Sequence, residues 1–287
     1  MKQADSVRVV TDDGVTLGLW RVGHTTPART IPLLLMHGTF SNRNFFGATE
    51  GLGPWLAERG HDAWVGELRG FDRSGEGRHD KWEVEDWILH DAPALLRAVR
   101  EATGSARVLW IGHSAGAVIA VGCAARFADC AESLHGMVLA AAPAPDRPGT
   151  FNTAVSLLGR GVSALVGRLP ARALGIGPED EGPGILGQWS DWIIGRKWVG
   201  RDGFDYLPGA RKIIAPALAI AGASDLLTPP STCRRLLDAL GSADKTMIVA
   251  GRRQGFRRDY SHNRLLISSD ARRDVWPVIA EWIEART

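Results

Sequence analysis

The stretch Val108-Leu109-Trp110-Ile111-Gly112-His113-Ser114-Ala115-Gly116-Ala117-Val118-Ile119-Ala120-Val121-Gly122 decides how the rest of the chain is read. An apolar run ends at a Gly-His-Ser-Ala-Gly turn, and a second run of small and apolar residues follows that suits a helix. The pattern predicts a strand, a sharp turn and a helix, with a serine at the apex. Such a turn brings strand and helix so close that side chains at Gly112 and Gly116 would clash. The Ser114 hydroxyl would then stand at the carboxyl end of the strand, above the helix N-terminus.

Working outward, short apolar runs without alternation recur at Ile31–Met36, Asp62–Gly66, Gly136–Ala142, Ala217–Ala221 and Thr246–Ala250. They suit strands buried on both faces of a parallel sheet. Helical spacing separates them. One continuous helix is expected over Glu83–Ala102, with Gly104 beyond its end, and another over Asp270–Ala285, with Val275, Trp276, Ile279, Trp282 and Ile283 inward. Val7–Val10 and Val15–Arg21, joined by Thr11-Asp12-Asp13-Gly14, read as a hairpin at the sheet edge. The alternation implies an α/β fold with a mostly parallel sheet covered by helices on both faces.

The region 146–212 breaks this alternation, being rich in Gly, Pro, Leu and Trp. It is expected to be an inserted helical cap, with residues 1–145 and 213–287 forming the core. Within it Leu157, Leu158, Val162, Leu165 and Val166 recur at helical spacing, as do Ile185, Leu186, Trp189, Trp192, Ile193 and Ile194. Both stripes are expected to pack inward, and part of the cap should line an apolar pocket over the serine. Phe40, Trp189 and Trp192 are the expected substrate contacts.

A chain of 287 residues suits one sizeable core with an insertion. Its 34 basic and 32 acidic residues balance to +2, which does not point to nucleic acid as a partner. Met1–Val10 has no apolar stretch of signal-peptide type, and no apolar run has the length of a membrane span. Cys123, Cys130 and Cys233 are an odd set without metal-ligand spacing, so neither a disulfide framework nor a metal site is expected. A cytoplasmic protein is the expectation, and a homodimer is left open.

A serine hydroxyl is a poor nucleophile at neutral pH and needs a base oriented by an acid. The strand Ala217–Ala221 runs into Gly222-Ala223-Ser224-Asp225, at the end of the sheet where open α/β folds gather functional groups. Asp225 is therefore the candidate acid, with Asp146 in reserve and Asp259 behind it. His262 alone among the eight histidines follows the last strand, completing the order Ser, Asp, His. His24, His61, His79, His90 and His135 are expected in solvated or capping roles, and His37 and His113 as structural braces. Backbone N–H groups of Ala115 and Thr39 are the candidate oxyanion donors, with Phe40 as the alternative second donor. Arg252, Arg253, Arg257 and Arg258 form a basic run near His262; a solvated loop accounts for it, and contact with an anionic substrate group or lipid surface is the sharper alternative.

These residues together resemble the α/β-hydrolase superfamily. The resemblance rests on His37-Gly38, the loop Arg69-Gly70-Phe71-Asp72-Arg73-Ser74-Gly75, Gly112-His113-Ser114-Ala115-Gly116, Asp225 and His262, and it spans nearly the whole chain. It implies an eight-stranded, mostly parallel sheet, a lid after the sixth strand, cofactor-free acyl transfer to water and a triad of Ser114, Asp225 and His262. Two departures bear on the substrate: Arg257-Arg258-Asp259-Tyr260-Ser261 precedes the histidine where a short Gly-rich approach is usual, and Thr39-Phe40 replaces the more usual glycine or Phe-Pro. A small-molecule carboxylic ester with an apolar acyl or alcohol part is the expected substrate. The same triad would also serve an acyltransferase, an amidase, a lyase or a C–C bond hydrolase, and a non-catalytic binding protein would keep the pocket alone.

Overall fold

Along Leu33–Met36 alternate side chains face opposite sides of the sheet, and all four are fully buried. Leu34 and Met36 join one apolar cluster, and Leu33 and Leu35 join the other. This two-sided burial is why the run shows no polar alternation. The computed structural model describes residues 6–23, 29–70 and 82–287.

Among these residues eight strands form one sheet: β1 (Ser6–Val10), β2 (Thr16–Val22), β3 (Leu33–Met36), β4 (Ala63–Gly66), β5 (Val108–His113), β6 (Leu134–Ala140), β7 (Ala217–Gly222) and β8 (Lys245–Ala250). Their order is β1-β2-β4-β3-β5-β6-β7-β8. The expected hairpin at the edge pairs Val10 with Thr16, β2 runs antiparallel to β4, and every later pairing is parallel.

The helices in chain order are α1 (Asn44–Gly47), α2 (Leu52–Ala57), α3 (Val84–Asp86), α4 (Ala92–Thr103), α5 (Ala115–Arg126), α6 (Ala128–Ser133), α7 (Thr150–Val166), α8 (Pro183–Gly195), α9 (Tyr206–Ala210), α10 (Pro230–Ala239), α11 (Arg264–Ile267) and α12 (Ser269–Glu284). Residues of α4, α5, α9 and α10 cover one face of the sheet, and residues of α2, α11 and α12 cover the other. The expected single helix over Glu83–Ala102 is divided by a π-helical turn at Trp87–Asp91. Pro93 follows after Ala92; it lacks an N–H and crowds the preceding turn, so the ladder widens there.

Between β6 and β7 the chain leaves the sheet for α7, α8 and α9. The inward stripe expected on α7 faces outward: Leu158 is 70% and Leu165 89% exposed, while Asn152, Gly159 and Ser163 are buried. Small residues on the inner side let α7 lie close to its neighbours, and the Ser190 hydroxyl of α8 donates to the Ser156 carbonyl at 3.2 Å. The buried carboxylate of Glu85 in α3 ties this region to the sheet side. It accepts from Tyr206 Oη at 2.8 Å, Gln188 Nε2 at 3.2 Å and Arg201 N–H at 2.8 Å. No helix among the described residues is long and apolar enough to cross a membrane.

Candidate active site

The predicted elbow is present between β5 and α5. Ser114 adopts φ 52° and ψ −124°, a left-sided conformation that is strained for a residue with a side chain. Its N–H donates to Ala140 O at 2.8 Å, which anchors the turn to β6. Both flanking glycines are sterically required: a Cβ at Gly112 would overlap the backbone of Ala117, and one at Gly116 would overlap the carbonyl oxygens of Met36 and His37.

Asp225 and His262 meet as the chain order predicts. His262 Nδ1 lies 2.8 Å from Asp225 Oδ2, with the carboxylate fully buried and the imidazole 16% exposed. The N–H groups of Leu227 and Thr228 both donate to Asp225 Oδ1 at 2.9 Å. Burial alone would raise the Asp225 pKa, but the hydrogen bond and charge of His262 and the bonds from Thr228 outweigh it, and the carboxyl titrates below its usual range. Thr228 was absent from the sequence reading. Its hydroxyl donates to Asp225 Oδ2 at 2.5 Å and lies 3.2 Å from His262 Nδ1, so it sits where the two side chains meet. A hydroxyl three residues after an aspartate is a common turn feature, and nothing in the local pattern singles it out.

Ser114 and His262 line the same cavity, of about 680 Å³. The His262 ring is tied to Asp225 through Nδ1, and among the described residues no hydrogen bond joins it to the Ser114 hydroxyl. His113 packs beside His262: its Nε2 lies 3.3 Å from the His262 carbonyl oxygen, and its ring stacks on Phe45 at 4.4 Å. Burial, and next the charge of His262, hold the His113 pKa well below its ordinary value. His37 is fully buried, with Nδ1 2.9 Å from Gly38 O, and burial lowers its pKa to about 4.

Thr39, Phe40 and Ala115 all line the cavity. Phe40 has φ 60°, and its N–H donates to Glu181 Oε2 at 3.4 Å while its carbonyl accepts from Glu179 N–H at 3.2 Å. The alternative second oxyanion donor is thereby engaged with the 179–181 segment, leaving Thr39 and Ala115 as the candidate pair. Asn42 Nδ2 adds a bond to Glu179 Oε1 at 2.7 Å.

The remaining candidates fall elsewhere. Asp146 is held by Arg235, with Nε 3.1 Å from each oxygen, and Asp259 accepts from Arg252 N–H at 2.9 Å. His61, expected in a solvated or capping role, is buried with Nε2 3.7 Å from Glu284 Oε1. His90 pairs with Asp12 at 2.6 Å and His135 with the Arg286 carbonyl. Trp189 and Phe40 line the cavity, whereas Trp192 does not: its indole is buried against Trp198 and donates to Val199 O at 2.8 Å. None of Arg252, Arg253, Arg257 and Arg258 lines the cavity; Arg258 pairs with Asp270, and Arg257 N–H donates to Asp274 at 2.7 Å. His24, His79 and the loop from Phe71 to Gly75 lie outside the described residues.

The model of the alpha/beta hydrolase fold family matches residues 31–174. The tear acid lipase-like protein of Mesocricetus auratus is 31% identical over 137 residues, covering 42% of this chain and 34% of that protein. The match thus spans about a third of that relative's length. Among solved structures, a monoacylglycerol lipase of Paleococcus ferrophilus superposes with a TM-score of 0.65 at 18% identity, covering 94% of this chain and 99% of that one. A thermophilic esterase of Thermogutta terrifontis superposes with a TM-score of 0.66 at 15% identity, covering 99% and 100%. The strand order, the strained serine between β5 and α5, and the family match over half the chain lead to one conclusion: this chain belongs to the α/β-hydrolase fold family.

Proposed function

We propose that this protein is a serine hydrolase that cleaves a carboxylic ester with an apolar acyl or alcohol part through an acyl-enzyme. The 2.8 Å contact between His262 Nδ1 and Asp225 Oδ2, beside a cavity that also holds Ser114, carries the reading. Ser114 Oγ attacks the ester carbonyl as His262 Nε2 takes its proton, and the buried Asp225 carboxylate stabilises the imidazolium that forms. The oxyanion is received by the N–H groups of Ala115 and Thr39; each such donor is typically worth about 100- to 1000-fold in rate. His262 returns the proton to the departing alkoxide, and water then resolves the acyl-enzyme by the same steps in reverse. Leu169, Ile176, Ile185, Leu186 and Trp189 give one side of the cavity an apolar wall, in keeping with an apolar acyl group. The lipase and esterase names of the relatives agree with this reading.

Replacing Ser114 with Ala is expected to lower hydrolysis of p-nitrophenyl esters by about a millionfold, as for a triad acting as a unit. Hydrolysis that survives the substitution would refute the mechanism.

A further inference from the structure

The wall of the cavity divides by origin. The region between β6 and β7 supplies a mainly apolar side, including Val155, Leu169, Ile185 and Trp189. A second part comes from 44–51 and from the chain that follows His262, and it mixes aromatic rings with polar groups: Phe45, Asn263, Ser269 and Trp276. Two charged residues, Glu50 and Arg272, belong to that second part, and Arg272 is the one cation among the described lining residues.

Arg272 sits on α12 one turn before Trp276, with its guanidinium carbon 5.8 Å from the centre of the indole. The indole is held by its own hydrogen bond to Leu266 O at 2.8 Å and by edge contact with Trp55 at 5.5 Å, so the ring is a fixed platform. The nearest acids on the helix are already engaged. Asp270 pairs with Arg258, and Asp274 accepts from Tyr260 Oη at 2.5 Å and from Arg257 N–H at 2.7 Å. Among the described residues Arg272 makes no ion pair, although it stands at the wall of the cavity that holds Ser114.

Which half of an ester would meet it follows from proton transfer. His262 must face the leaving oxygen, and Asn263 and Leu266, next along the chain, line the cavity with Arg272; the Leu266 carbonyl accepts from Trp276, the indole against which Arg272 lies. The apolar side remains for the acyl chain. Resting on the ester-hydrolase reading above, we infer that Arg272 forms a subsite for a compact oxyanion, a phosphate or a carboxylate, carried on the alcohol part of the substrate. A planar guanidinium with five donors suits either group. The basic run at Arg252–Arg258, for which anionic contact was the alternative to a solvated loop, does not line the cavity; Arg272 does.

The test compares three butyrate esters: neutral monobutyrylglycerol, monobutyrylglycerol phosphate and butyryl lactate. The wild-type protein should favour one or both anionic esters in kcat/KM over the neutral one. Arg272→Gln should reduce that preference about threefold to tenfold, the scale of a charge-assisted contact partly open to water, with Arg272→Lys in between. Raising NaCl to about 0.5 M should compress the wild-type preference, since exposed charges are screened. A larger response with the phosphate or the lactate ester identifies which oxyanion is taken. A preference that is absent in the wild type, or equal in wild type and Arg272→Gln, overturns the inference. Calorimetric binding of the ether analogues, monobutylglycerol and its phosphate, separates this subsite from the catalytic reading. Tighter binding of the phosphate to wild type than to Arg272→Gln supports the subsite whether or not any ester is hydrolysed, and equal binding rejects it. Loss of all three hydrolyses in Ser114→Ala tests the catalytic reading alone.

Discussion

A Cβ placed on Gly38 would lie 2.9 Å from the Cβ of Ser114 and 3.0 Å from the carbonyl oxygen of His113. The loop after β3 therefore rests directly on the nucleophile turn, and the distance between Thr39 N–H and Ser114 depends on the absence of a side chain at 38. Gly38→Ala should push the two apart. A misplacement of this kind typically costs about 100-fold, so kcat should fall by that order while the fold is retained. Ester kinetics with circular dichroism as a control checks it, and unchanged kcat would mean the loop does not set the site.

The Thr228 hydroxyl satisfies Asp225 Oδ2 and adjoins His262 Nδ1. In Thr228→Val the buried carboxylate loses a donor, at a cost of about 1–3 kcal/mol, and the imidazole loses part of its alignment. The expected result is a fall of about tenfold in kcat with little change in KM. A change in KM alone would place Thr228 against substrate.

Trp189 and Trp192, 6.0 Å apart by ring centres, should separate cleanly on substitution. Trp189→Ala enlarges the cavity wall and should shift the preference among esters of rising chain length. Trp192→Ala deletes a buried ring and should cost roughly 3–5 kcal/mol of stability. Denaturation midpoints and chain-length profiles of both variants distinguish them; the reverse assignment would contradict the geometry.

Stability should fall as pH drops from about 6.5 towards 4. Burial holds the His37 pKa at about 4, against 6.5 for the free side chain, and His113 is displaced in the same direction. In this window the unfolded chain takes up protons that the folded chain refuses. At about 1.4 kcal/mol per tenfold change, His37 alone contributes on the order of 3 kcal/mol of loss. Asp225, with its lowered pKa, adds a loss of the same sign at more acid pH, as its folded-state carboxylate is finally protonated. Urea unfolding at several pH values should show a shallower slope for His37→Asn; an identical slope would contradict the assignment.

What was legible in the sequence was what steric necessity or chain order imposes. Gly112 and Gly116 must be small because backbone lies where their side chains would be, and that constraint exposed the elbow. Asp225 follows β7, buried along its whole length, and His262 follows β8, a half-buried edge strand whose run Met247–Ala250 is still apolar, so their shared end of the sheet could be inferred. Thr228 stayed hidden because its place beside His262 depends on a contact across 34 residues. Periodicity shows that a helix has an apolar stripe but not what covers it: α7 turns its stripe outward, and Trp192 points its indole at the Val199 carbonyl rather than at the cavity. Nearness in sequence to His262 likewise did not put the basic run on the cavity wall. Arg258 is spent on Asp270, whereas Arg272, on the following helix, reaches the cavity wall.

The central claim is that Ser114 is an activated nucleophile, and covalent labelling with a fluorophosphonate probe reads it without knowledge of the substrate. A single adduct is expected on the peptide carrying Ser114, absent in Ser114→Ala and strongly slowed in His262→Ala. Folded wild-type protein that takes up no probe, or labelling that persists undiminished in Ser114→Ala, would contradict it.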